Sequence, residues 1–128
     1  MLMGYCTCFN LSVDPFDGKT RIPEEVYDKV NEEIDKMGAL EDHYGRSEWG
    51  VYAKWYDWEE DMLLLSSKFP DLLFTLSGDG DDSDDKWIAY FNAGREQYCP
   101  AEIIYPDYDP SLLAPSKDSI PNSYSYER

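Results

Sequence analysis

The chain has 128 residues, with 27 Asp and Glu against 11 Lys and Arg, for a net charge of −16. The length fits one compact domain and leaves no room for a two-domain enzyme, and such acidity argues against direct binding to nucleic acid or to an anionic membrane surface. Aromatic residues make up 16% of the chain, a content that separates it from disordered acidic sequences and predicts a folded core.

The N-terminal MLMGYCTCFN has no basic stretch and no long apolar run, so no export signal is expected. No segment approaches the ~20 apolar residues of a membrane span. Cys6, Cys8 and Cys99 form an odd set without secretory context, and reduced thiols in a cytoplasm are expected. Cys6-x-Cys8 is not a zinc-ribbon spacing, so small residues alternating along a strand explain it better than metal ligation does.

Residues 5–13 alternate as a half-buried strand, with Tyr5, Thr7, Phe9, Leu11 and Val13 on one face. Asp14-Pro15-Phe16-Asp17-Gly18 is a turn cluster. Pro23 then opens a helix with Glu24 and Glu25 in its first turn, where acids suit the positive end of the dipole. Val26, Val30, Ile34 and Met37 form its apolar stripe, and Gly38 ends it. A short strand is expected near 40–44. A clear one follows at 49–56, with Val51, Ala53 and Trp55 on one face and Tyr52, Lys54 and Tyr56 on the other.

Asp57 and Glu60 have the spacing of a capping box for a second helix, whose inner side would be Met62, Leu63, Leu64 and Leu65. That helix should stop before Phe69-Pro70. Strands are predicted at 72–78 and 86–92, joined by an acidic loop. A further strand, at 97–105, is interrupted by Pro100 and so is an edge strand or a bulged one.

The order predicts an α+β two-layer sandwich. Its sheet is mostly antiparallel, with two helices on one face, in a ferredoxin-like arrangement with an extra C-terminal hairpin. A single domain is placed over residues 1–108 and an irregular, Pro- and Ser-rich tail over 109–128. One sheet face would remain free of helices. Tyr52, Tyr56 and aromatics of Lys86–Asn92 on that face read either as a second small core or scattered exposed rings, or as a partner or homodimer surface.

The segment from Trp55 to Asp109 resembles a group of small, acidic, uncharacterised proteins of phages and mobile elements. The carriers are Trp55, Trp58, Ser66, Phe69, Pro70, Phe74, Trp87, Tyr90, Phe91 and Gly94. The resemblance implies a ferredoxin-like fold and an accessory role such as inhibition of a host defence nuclease. Its carriers are core and turn positions and imply no site.

The chemistry-bearing feature is acidic. Asp79, Asp81, Asp82, Asp84 and Asp85 crowd one predicted hairpin loop. Between residues 57 and 85 there are ten acids and one base, Lys68, a net −9 that is more than half of the total. A calcium loop is one reading, although the EF-hand order of Gly and Glu is missing. A surface that steers a basic groove is the second. The third is a solvated loop that blunts an edge hairpin and keeps the chain in solution.

Catalysis has little support. A nucleophilic triad would have to use His43, the single histidine, which sits in the polar stretch EDHYG. In a chain with 27 acids, a pair of carboxylates carries almost no information. No Gly-rich phosphate loop is present. The reading is therefore a non-enzymatic, cytoplasmic binding protein without cofactor or metal. Its carboxylates would dock on a basic host protein that handles nucleic acid, such as a nuclease or CRISPR effector. The expected contacts are Asp79, Asp81, Asp82, Asp84 and Asp85, with Glu59, Glu60 and Asp61 beside them. Glu32, Glu33 and Asp35 on the first helix form a second acidic face. The alternatives are an accessory protein whose acidity serves solubility, and a calcium-binding loop.

Overall fold

The computed structural model describes residues 6–40, 42–43, 47–80 and 85–115. Alternation builds β1 over Thr7–Pro15, with Phe9, Leu11 and Val13 buried and Cys8, Asn10 and Asp14 exposed. Helix α1 spans Glu24–Met37 and buries Val30 and Ile34, as its spacing predicts. Gly38 closes it, its N–H bonding the carbonyls of Ile34 and Asp35. A two-residue β2, Asp42–His43, lies beside β3, Glu48–Ala53. Helix α2 spans Trp58–Ser67 and is followed by β4 (Leu72–Gly80), β5 (Lys86–Asn92) and β6 (Arg95–Pro100).

The six strands form one antiparallel sheet in the order β2-β3-β1-β4-β5-β6. The first four follow the ferredoxin-like pattern: β1 sits between β3 and β4, and each helix links two parallel strands separated by an antiparallel one. Strands β5 and β6 extend the sheet beyond β4. The helices pack on one face over a core that includes Leu11, Ile34, Trp49, Met62, Phe74 and Phe91. The Trp49 indole N–H donates to the Asn31 carbonyl at 2.9 Å, which ties β3 to α1. Among the described residues, no helix is long and apolar enough to cross a membrane.

Three local expectations need correction. The capping box does not form, because the Asp57 side chain accepts no hydrogen bond from the helix. Leu64 is exposed, while Met62, Leu65 and Ser66 are buried. Four consecutive apolar residues cannot all face inward on a 3.6-residue period. The last strand begins at Arg95 rather than at Gln97, because Ala93 and Gly94, both at positive φ, turn the chain in two residues and pair Asn92 with Arg95. It ends at Pro100, where β5 runs out: the Ala101 N–H bonds the Lys86 carbonyl, and beyond it no β5 residue remains to pair.

The helix-free face carries Tyr52 and Ile88, both exposed, and Tyr90, partly buried. Trp87 and Phe91 instead point into the core. Residues 101–115 are irregular apart from a 3-10 turn at Pro110–Leu112.

Candidate functional site

The topology brings the two acidic stretches together. Strand β3 ends at Ala53, which aligns with Thr7, and Thr7 aligns with Gly80 at the end of β4. Helix α2 therefore starts at the same end of the sheet from which the loop leaves β4 and enters β5.

This end rests on aromatic side chains. Trp58 stacks on Trp87 with ring centroids 4.2 Å apart and planes 17° apart. Tyr98 lies within 6.1 Å of Trp58 and 5.9 Å of Trp87, and Phe9 meets Trp55 edge-on at 5.1 Å. Gly78 makes the stack fit. A Cβ there would lie 2.2 Å from the Trp87 ring, so the bare strand backbone is the floor on which the indole lies.

The predicted contacts differ in what they touch. Asp61 accepts a hydrogen bond from the buried Trp55 indole at 2.7 Å, so it orients a core side chain. Asp79 points to the opposite, helix-free face and pairs with Lys86 at 2.8 Å. Glu59 and Glu60 are exposed on the first turn of α2, and Asp85 flanks β5. Asp81, Asp82 and Asp84 lie outside the described residues, and the calcium reading falls largely on them. On α1, Glu33 bonds Lys68 at 2.7 Å and Lys36 at 3.3 Å; the Lys68 contact above all holds its carboxyl below the usual range.

Glu96 is the residue that sequence reasoning missed. It sits opposite Phe91 on the inner side of β6, where a charged side chain is out of place. Its Oε2 is sealed from solvent and has no hydrogen-bond donor among the described residues. The group that faces it is the Glu59 carboxyl. Two ionised carboxylates offer only acceptors, so they can bond only when one keeps a proton. Burial first, and Glu59 second, push the Glu96 carboxyl up to about 7. Burial also raises the Tyr98 hydroxyl, with the charges of Asp85, Glu59 and Glu96 adding to the effect. Those three carboxylates, from a loop, a helix and an edge strand, thus converge on one tyrosine. The signal lay in REQYCP, where Glu96 and Tyr98 share the parity of the inward face once the strand starts at Arg95.

Among the described residues, no group of three or more His, Cys, Asp or Glu side chains is arranged to hold a metal ion. The three cysteines are free thiols. His43 lies on β2. Comparison with protein-family models, curated proteins and solved structures found no match for the chain.

Proposed function

We propose that the chain is a non-enzymatic binding protein that presents the α2 start and the β4–β5 loop, as one acidic end, to a basic groove on a protein that handles nucleic acid. The observation that carries this reading is the register that aligns Ala53 with Thr7 and Thr7 with Gly80, so that the acidic first turn of α2 and the acidic loop after β4 leave the same end of the sheet. Charge gathered over an aromatic base combines electrostatic steering with apolar anchors, the pairing that interface cores need. The inhibitor form of the reading, an anti-CRISPR or anti-restriction protein acting in a host cytoplasm, draws on the resemblance to phage and mobile-element proteins.

The test is binding to purified DNA-cleaving effectors, measured at low and high salt together with their cleavage rates. Binding that weakens steeply with salt and competes with the nucleic acid supports the reading. Neutralising Glu59, Glu60 and Asp85 with Gln or Asn, alone and together with Asp81, Asp82 and Asp84, should abolish it. Affinity unchanged by those replacements, or binding insensitive to salt, would remove the acidic end as the contact.

A further inference from the structure

Among the described strands, β6 has one neighbour in the sheet, β5. Three contacts join it to α2. Just before its first residue, the Gly94 N–H donates to the Ser66 hydroxyl at 3.0 Å. In its first half, Glu96 meets Glu59. In its second half, the Tyr98 ring lies 6.1 Å from that of Trp58. The helix partners run from Ser66 back to Trp58 as the strand advances, so helix and strand lie antiparallel. Beyond Ala101 every residue to Pro115 is exposed and offers β6 little further anchorage. Edge elements of this kind are where local opening of a fold begins.

The middle contact is unlike the other two. Ser66 and Trp58 carry no charge, and burial raises the Tyr98 hydroxyl above its ordinary value of 10.0, so those contacts hold through the physiological range. Glu96 and Glu59 are two carboxyls, and the sealed Oε2 of Glu96 has no donor among the described residues. No neighbouring element supplies a cation to them. Arg95 turns its guanidinium to the Asn92 side-chain carbonyl at 3.3 Å. Strand β5 offers Phe91 opposite Glu96, and Asp85 and Tyr98 bring no positive charge.

We infer that the Glu59–Glu96 contact is a proton latch: sharing a proton it closes β6 on α2, and fully ionised it releases β6 and uncovers the Trp58–Trp87 stack. Burial, and then Glu59, hold the Glu96 carboxyl up at about 7. The closed form therefore binds the proton more tightly than the open one, and opening becomes easier as pH rises through about 7. As control over the acidic end, the latch rests on the binding reading above. The opening itself does not, and it is measured without a partner, so either can fail alone.

The experiment is amide hydrogen exchange of the full chain near about pH 5.5 and about pH 8, each rate corrected for the intrinsic rate of its amide. The Ala101 N–H bonds the Lys86 carbonyl, so antiparallel alternation turns the Gln97 and Cys99 N–H groups to β5 as well. These three amides report opening of β6; those of Leu11 and Leu76, at the centre of the sheet, report global unfolding. The β6 amides should exchange at least about tenfold faster than the central pair at both pH values. Their protection should fall about tenfold from the lower pH to the higher. His43, which also titrates in this range, lies on β2 at the opposite edge of the sheet. Glu96→Gln should abolish the fall, and Glu59→Gln, at an exposed position, should cut it to about threefold or less. Exchange of β6 at the rate of the central strands, protection that rises with pH, or a fall that survives Glu96→Gln would overturn the latch.

Discussion

Replacing Glu96 by Gln isolates the energetic consequence of the carboxyl pair. The folded chain holds the Glu96 carboxyl up at about 7, against 4.5 for an unperturbed glutamate, through burial and then through Glu59. A group held up in the folded state binds its proton more tightly there than in the unfolded chain. Its contribution to stability is therefore complete below pH 4.5 and is lost as pH rises through about 7. At ~1.4 kcal/mol per unit the ceiling is about 3 kcal/mol, and solvent around the exposed Glu59 reduces the expected effect to about 1–2 kcal/mol. Glu96→Gln keeps the shape of the protonated acid and cannot ionise. The difference in melting temperature between variant and unmodified chain should be small near about pH 5 and grow by about 5–10 °C in favour of the variant near about pH 8. Subtracting one melt from the other removes most of the general self-repulsion of an acidic chain. Thermal melts of both proteins across this range provide the measurement. A difference that stays flat with pH, or that favours the unmodified chain at high pH, would refute the assignment.

The other expectations concern single side chains. Gly78→Ala drives a methyl into the Trp87 ring and should cost about 1–3 kcal/mol by denaturant titration, with a change in tryptophan emission. Asp61→Ala leaves the Trp55 indole N–H without its acceptor and should cost about 1–3 kcal/mol, much of which Asp61→Asn should recover. Asp57→Ala should cost no more than about 0.5 kcal/mol in the same titration, below the usual loss at a capping residue, because that side chain makes no cap bond.

The elements were legible where one period dominates. Strict alternation in β1 and the Val26–Met37 stripe of α1 leave one way to bury their apolar faces, and the fold follows from their order. Reading failed where tertiary pairing decides. The start of β6 depends on a two-residue turn with Ala93 in the left-handed region, a conformation that alanine does not advertise. The uniform run from Met62 to Leu65 hides which residues face inward. At the site, clustering of acids along the chain was visible, but their division between two sheet faces was not. Asp79 and Asp85 are six positions apart in sequence; the first pairs with Lys86 on the helix-free face, while the second acts on Tyr98. Glu96, outside any acidic run, became recognisable only through its register opposite Phe91.

The position of β1 also sets an order of events. It precedes the other five strands in the chain, yet it pairs with β3 and β4, so Leu11 must find Trp49 and Leu76 across long stretches of chain. Strands β4, β5 and β6 are instead joined in succession and need only short loops to close. Loop-closure entropy favours the local meander as the early-forming unit and delays the centre of the sheet. On the ribosome, β1 emerges long before its partners and waits, apolar face and all, for β4 to leave the exit tunnel. Among these six strands, the one at the centre of the sheet is thus made before either neighbour, and until they follow its apolar edges are open to misassociation.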